Sequence, residues 1–172
     1  VGLGIGYAVS PTGADHMHNM HDPEFARVNS TMSALGILEP SPADDLSPTK
    51  VRMFRYLVNW AHFKNCASWC MFVPYDPNAM SELVNAATGW KTSAWELMKV
   101  GERGMVLARL FNAREGLTTK DDRLPERLYS GVSTGPRAGL GMDRAAFQEA
   151  LNNYYAMCGL DAKTGGPTAA PA

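Results

Sequence analysis

The chain has 172 residues, enough for one domain or two small ones and enough to bury about 70% of the surface that the unfolded chain exposes. Sixteen basic and seventeen acidic residues give a net charge of −1 at pH 7, and no block of like charge indicates nucleic-acid binding or attachment to an anionic membrane. Three cysteines, no signal peptide and no apolar run of about 18 residues favour a cytoplasmic protein and exclude a disulfide scaffold or a membrane span.

The chain starts with a glycine-rich apolar stretch, Val1-Gly-Leu-Gly-Ile-Gly-Tyr7, and with valine in place of methionine. We therefore expect a piece of a longer protein. His16, His18 and His21 follow beside two aspartates, and imidazole and carboxylate groups bind several divalent metals. Helical residues two apart point about 160° away from each other, so polar residues at a helix start or in a loop are a simpler interpretation than a classical metal site.

A long helix is predicted from about Pro48 to Lys64, because Ser47 is a good N-cap and Pro48 suits the first helical position. The segment Cys66-Ala-Ser-Trp-Cys70 follows, and its C-x-x-x-C spacing would place both sulfurs on one face of a continued helix. Two thiolates alone cannot complete a zinc or iron–sulfur site. A pair of buried thiols is the simpler interpretation, and a cluster needs cysteines from outside this chain.

Two further helices are predicted downstream. One runs from about Asn78 to Ala87, before Gly89. The stronger one runs from Ser93 to Arg114, starts with a capping box formed by Ser93 and Glu96, and carries so many apolar residues that we expect burial over more than half of its circumference. Arg109 is assigned to its polar side.

The last third of the chain predicts one more helix. The charged run Asp121–Arg127 favours an exposed turn over a catalytic element. Asp143 can cap a helix that ends near Gly159. No convincing strand is present, so the predicted fold is all-α, with a multihelical domain over residues 1–162 and a disordered tail over residues 163–172.

Four motifs recur in an order and spacing that resemble the C-terminal helical region of aldehyde:ferredoxin oxidoreductases. They are Thr88-Gly-Trp-Lys-Thr92, Val100-Gly-Glu-Arg-Gly104, Leu110-Phe-Asn-Ala-Arg-Glu-Gly116 and Asp121-Asp-Arg-Leu-Pro-Glu-Arg127. The similarity continues to Gly159 and back to the segment from Gly4 to His16. It covers nearly the whole chain except the tail.

The resemblance implies a function for the complete protein. Enzymes of this family hold tungsten or molybdenum between two pterins, beside a 4Fe-4S cluster that passes electrons to ferredoxin or a similar carrier. We therefore expect an oxidoreductase that interconverts aldehydes and carboxylic acids. An N-terminal pterin-binding domain would lie outside this chain, and the isolated chain would be inactive.

The resemblance also implies site residues. His16 matches a histidine that follows a Gly-Ala motif near the metal, where it would hydrogen bond the substrate oxygen or move a proton. The segment from Asn65 to Cys70 matches an Asp-x-x-Gly-Leu-Cys motif, which makes Cys70 a cluster ligand and places Asn65, Ser68 and Trp69 at the pterin. Asn65 replaces the acid, Ser68 the glycine and Trp69 the leucine. Cys66 and Cys158 would then be buried thiols.

Two other functions stay open. The altered stretch from Asn65 to Trp69 is compatible with an acyl-thioester reductase of the same family that acts on aromatic rings. A non-catalytic helical interaction module is the third option. No nucleic-acid or membrane partner is expected, and a homo-oligomer is left open.

Overall fold

A computed structural model describes residues 2–168 of the chain. Within that range it contains α-helices and short 3-10 helices and no strand, which confirms the predicted all-α fold. The α-helices are α1 (Gly2–Val9), α2 (Ser30–Ala34), α3 (Pro48–Cys66), α4 (Pro77–Thr88), α5 (Ala94–Arg114) and α6 (Arg144–Cys158). The 3-10 helices span His16–His18, Asp22–Ala26 and Glu126–Leu128. Between Gly2 and Thr168, no helix is both long enough and apolar enough to cross a membrane.

Three of the four long helices begin at the caps that the sequence predicts, Ser47, Ser93 and Asp143, whereas α4 is capped by Asp76, which was not predicted. The Ser47 hydroxyl accepts a hydrogen bond from the amide of Lys50 at the start of α3. At the start of α5, the Glu96 carboxylate accepts from the amide of Ser93, which closes the predicted capping box. These bonds satisfy amide groups that have no partner inside the helix.

The centre of the core is a close contact between α3 and α5. A Cβ atom on Gly101 would lie 1.9 Å from the carbonyl oxygen of Asn59 and 2.6 Å from the amide nitrogen of Phe63, both of which are backbone atoms of α3. Only a glycine allows the two backbones to approach this closely. The core extends from this contact to α1 and α6.

One expectation about α5 is wrong. Leu107 and Phe111 are 68% and 57% exposed, so this chain does not bury more than half of the helix. The main neighbours of α5 are α3 and α4. The buried residues of α5 form one stripe of the helix, namely Ala94, Leu97, Met98, Gly101, Met105 and Arg109. The assignment of Arg109 to the polar side is also wrong, because its side chain is only 7% exposed.

Both ends of the described range pack against the core. Helix α1 was not predicted, and its Gly6 lies against the side chain of Asn19, which leaves no room for a Cβ atom. Residues 163–168 belong to the segment predicted to be a disordered tail. Here the Gly165 carbonyl accepts from Arg109 Nε at 3.1 Å, and the Thr168 amide donates to the Gly159 carbonyl at 2.8 Å. Residues 169–172 of that segment lie outside the described residues.

Candidate functional site

Helix α3 ends in a Schellman motif just before Cys70. The Trp69 amide donates to the Lys64 carbonyl at 2.8 Å, and the Ser68 amide donates to the Asn65 carbonyl at 3.0 Å. Ser68 has φ 56°, the only positive φ of a non-glycine among residues 2–168. Glycine is the residue most often found in this left-handed conformation, because a Cβ atom crowds the backbone there. The Trp69 ring then folds back onto Phe63, with ring centroids 6.3 Å apart.

The turn determines where the thiols point. Cys66 and Cys70 are both exposed, so the expectation that Cys66 is a buried thiol is wrong. The helix stops at Cys66, and the two sulfurs therefore do not share a helix face as the spacing suggested. Cys158 is partly buried, and this burial raises the pKa of its thiol to about 11. Among residues 2–168, the exposed thiols are thus those of Cys66 and Cys70.

All four histidines of the chain lie near one another. His16 is exposed and meets the edge of His21, with ring centroids 6.2 Å apart. His18 stacks flat on His62 at 5.1 Å, and its Nδ1 lies 2.9 Å from Thr12 Oγ1. No group of three or more metal-binding side chains comes together within residues 2–168. The Asp15 side chain accepts a hydrogen bond from the amide of Met17 and so caps the 3-10 helix His16–His18, which places these polar residues at a helix start.

His62 of α3 is a buried histidine that packs against the histidine segment. The side chain is 8% exposed, and burial together with the nearby His18 lowers its pKa to about 4. His62 is therefore neutral at pH 7, and its ring can stack on the ring of His18 without electrostatic repulsion. No motif in the sequence indicates this role of His62. Its place beside the apolar stripe of α3 indicates burial, but only the folded chain shows that it meets His18.

A buried ion pair holds the loop that leads to His16. Arg109 Nη2 lies 2.6 Å from Asp122 Oδ2, and Arg109 Nη1 donates to the carbonyl of Val9 at 2.9 Å. The Tyr155 hydroxyl donates to the same Asp122 carboxylate at 2.8 Å. On the next turn of α5, the side-chain amide of Asn112 donates to the carbonyl of Pro11, which follows α1. Asp122 belongs to the run that was interpreted as an exposed turn, and its role here is structural.

A cavity of about 200 Å³ joins the two parts of the candidate site. Met17 and His21 line it from the histidine segment, and Asn65 and Met71 line it from the end of α3. Neither His16 nor Cys70 lines the cavity, so the structure brings together chain neighbours of these two residues and not the two side chains themselves. The side chain of Asn65 is exposed at this point.

The whole chain is similar to one protein family. The model described as aldehyde ferredoxin oxidoreductase, domains 2 & 3, matches residues 1–171.

Individual relatives show the same similarity. The tungsten-containing aldehyde ferredoxin oxidoreductase of Thermococcus kodakarensis is 32% identical over 163 residues, which are 92% of this chain and 25% of that protein. The proteins of the same name from Pyrococcus furiosus and Pyrococcus abyssi are each 31% identical over the same shares. The chain thus spans about a quarter of the length of these relatives.

Proposed function

Because this chain belongs to the aldehyde ferredoxin oxidoreductase family, we propose that it is part of a larger enzyme that interconverts aldehydes and carboxylic acids. The redox centre of that enzyme would be tungsten or molybdenum bound by two pterins, and tungsten is favoured by the names of the relatives. A 4Fe-4S cluster would pass electrons to ferredoxin or a similar carrier. We place the enzyme in the cytoplasm, where its free thiols stay reduced.

The backbone at Ser68 is the observation that carries this proposal. The residue takes a left-handed conformation at the position where the family motif has glycine, which supports the alignment of the following residues with that motif. In this alignment Cys70 is the cluster ligand, and its exposed thiol is free to bind. One thiolate is a quarter of the ligands of a 4Fe-4S cluster. The others must come from the rest of the enzyme.

Asn65, Ser68 and Trp69 would lie against a pterin. The Asn65 side chain is exposed at the edge of the turn, and its amide can donate and accept hydrogen bonds. Unlike the acid of the motif, it cannot neutralise a cationic donor. The amides of Ser68 and Trp69 are used within the turn, so these two residues would contribute shape and the hydroxyl or ring.

His16 would hold or accept the proton at the substrate oxygen. Its ring is exposed and meets the edge of the His21 ring, which leaves the imidazole open to a substrate oxygen. When bound, the pterin-held metal supplies the two-electron oxidation of the aldehyde. The imidazole would hold or accept a proton at the substrate oxygen. Arg109 and His62 act on His16 indirectly, since they anchor the chain before and beneath it.

One continuous core supports the proposal that residues 1–162 form a single unit. Buried apolar side chains from Ile5 to Leu160 belong to the same cluster. We expect the isolated chain to be inactive and metal-free, because two side chains cannot retain either cofactor. Activity would require the pterin-binding domain.

The test uses the enzyme that contains this chain. Aldehyde-dependent reduction of ferredoxin should be lowered by about 10²- to 10⁴-fold in His16→Asn, while its metal and iron contents stay unchanged. An unaltered turnover number would remove His16 from the mechanism. Reduction of an aromatic acyl thioester without any aldehyde oxidation would show the second enzyme class, and an enzyme that binds no pterin would leave the helical interaction module.

A further inference from the structure

The lysine in the last turn of α3 lies close to Cys70. The carbonyl of Lys64 accepts a hydrogen bond from the amide of Trp69 at 2.8 Å, and the side chain of Lys64 lines the cavity beside α3 together with Met71. Trp69 and Met71 are the residues on either side of Cys70. The turn therefore holds Lys64 beside the short segment that carries the Cys70 thiol.

The ammonium group of Lys64 is only partly exposed to water. Within residues 2–168 it forms no hydrogen bond and no salt bridge. Burial lowers the pKa of Lys64, whereas the negative charges of the Cys70 thiolate and the Glu24 carboxylate raise it. The Cys70 sulfur is therefore within the range over which the charge of Lys64 acts. Because Glu24 is exposed, water screens its effect, and a positive charge remains beside Cys70.

We propose that Lys64 stabilises the reduced form of the iron–sulfur cluster bound at Cys70 and so raises the reduction potential of that cluster. This inference rests on the proposed function, in which Cys70 is a cluster ligand. A 4Fe-4S cluster is reduced by one electron, which makes the cluster and its thiolate ligands more negative. A positive charge in surroundings of low dielectric constant favours the more negative form.

A lysine at the end of a helix also has a simpler role, because its charge interacts favourably with the carbonyl groups at the helix C-terminus. This role stabilises α3 and does not involve the cluster. The two roles differ in one measurable quantity, the reduction potential of the cluster, which only the proposed role changes.

Lys91 provides a matched control for the loss of one positive charge. It is exposed and precedes α5, which begins beside Tyr56, since the rings of Trp95 and Tyr56 are 6.2 Å apart. Tyr56 lies ten residues before Cys66, the last residue of α3, which is about 15 Å along the helix. Lys91→Met therefore removes the same charge at the opposite end of the α3 and α5 pair.

The experiment titrates the complete enzyme, with its cofactors bound, with dithionite and follows the reduced cluster by electron paramagnetic resonance. At the potential where half of the wild-type cluster is reduced, the ratio of reduced to oxidised cluster should fall about tenfold in Lys64→Met, which is about 59 mV for a one-electron couple. Lys64→Arg keeps the charge and should stay within about twofold of the wild type, as should Lys91→Met. An unchanged ratio in Lys64→Met, or an equal fall in Lys64→Arg or Lys91→Met, would overturn the proposal.

Two further variants complete the test. If Lys64→Met no longer binds the cluster, Lys64→Gln replaces it with the same expected fall, because its amide still donates hydrogen bonds. Glu24→Gln removes a negative charge from the same surroundings and should raise the ratio, by about twofold because Glu24 is exposed. A ratio that stays unchanged or falls in Glu24→Gln would contradict the electrostatic effect.

The result separates this inference from the proposed function. A wild-type enzyme that contains the cluster, with a potential that does not depend on Lys64, would refute the inference and leave Cys70 as a ligand. An enzyme without a cluster would refute the proposed function and this inference together.

Discussion

Replacing Gly101 by alanine should weaken the contact between α3 and α5 at the centre of the core. The added Cβ would lie 1.9 Å from the Asn59 carbonyl oxygen, whereas ordinary contacts begin near 3.4 Å. The helices would have to separate by about 1.5 Å, the difference of these distances. Both obstructing atoms belong to the backbone, so no side-chain rotation relieves the clash.

The magnitude follows from two opposing effects. Overpacking of a well-packed core costs about 1 to 3 kcal/mol, and separation of the helices adds to this because it loosens the side chains around the contact. Alanine in a helix interior returns up to about 1 kcal/mol relative to glycine. We expect a net loss of about 2 kcal/mol, which lowers the melting temperature by about 4 to 8 °C for a chain of this size.

Gly104→Ala is the matched control, one turn further along α5. Its Cβ would lie 2.8 Å from the Sγ atom of Cys66, the mobile end of an exposed side chain. Helix propensity should then dominate, with an unchanged or raised melting temperature. Thermal unfolding followed by far-UV circular dichroism compares the two variants. A Gly101→Ala chain as stable as Gly104→Ala would refute the close contact.

Two further predictions concern the turn after α3 and the stacked histidines. Ser68→Gly should raise the free energy of unfolding by up to about 1 kcal/mol, because it removes the left-handed strain, and Ser68→Val should lower it; denaturant titrations that rank the two variants in the opposite order would contradict the left-handed turn. The pKa of His62 is lowered from 6.5 to about 4 in the folded chain, so His62 of the unfolded chain binds a proton at a higher pH than His62 of the folded chain. The stability that the neutral ring contributes is therefore fully present above pH 6.5 and is lost as the pH falls toward 4. His62→Phe keeps a ring beneath His18 and should lack this part of the pH dependence, at most about 3 kcal/mol; identical pH profiles of the two chains would show that His62 is not buried in its neutral form.

The sequence predicts the long helices well because their ends depend on local chemistry. Ser47 and Ser93 cap α3 and α5 with their own side chains, and Gly89 and Gly159 end α4 and α6 with positive φ angles. Such signals need no knowledge of the rest of the fold.

Features that depend on tertiary contacts cannot be predicted from local sequence. The three glycines of α1 have a low helix propensity, yet Gly6 packs so closely on Asn19 that the helix needs a glycine at this position. Arg109 belongs to the polar side by its charge, but its partners lie far along the chain, at Val9 and Gly165 among others. The meeting of His62 with His18 has the same origin, and no local pattern indicates it.

The candidate site contains one feature that the sequence predicts and one that it does not. The motif from Asn65 to Cys70 could be aligned from its cysteine alone, and the left-handed Ser68 adds physical support for that alignment. The exposure of Cys66 could not be predicted, because it depends on where α3 ends.

The iron content of the complete enzyme tests the central claim most directly, with Cys70→Ser compared to Cys66→Ser. Both residues are exposed thiols in the same turn of chain, so serine should disturb the fold equally little at either position. We predict that Cys70→Ser loses or damages the 4Fe-4S cluster, seen as lost iron and a lost electron paramagnetic resonance signal, while Cys66→Ser keeps both. A Cys70→Ser enzyme with a full cluster, or loss of the cluster in Cys66→Ser alone, would contradict the account.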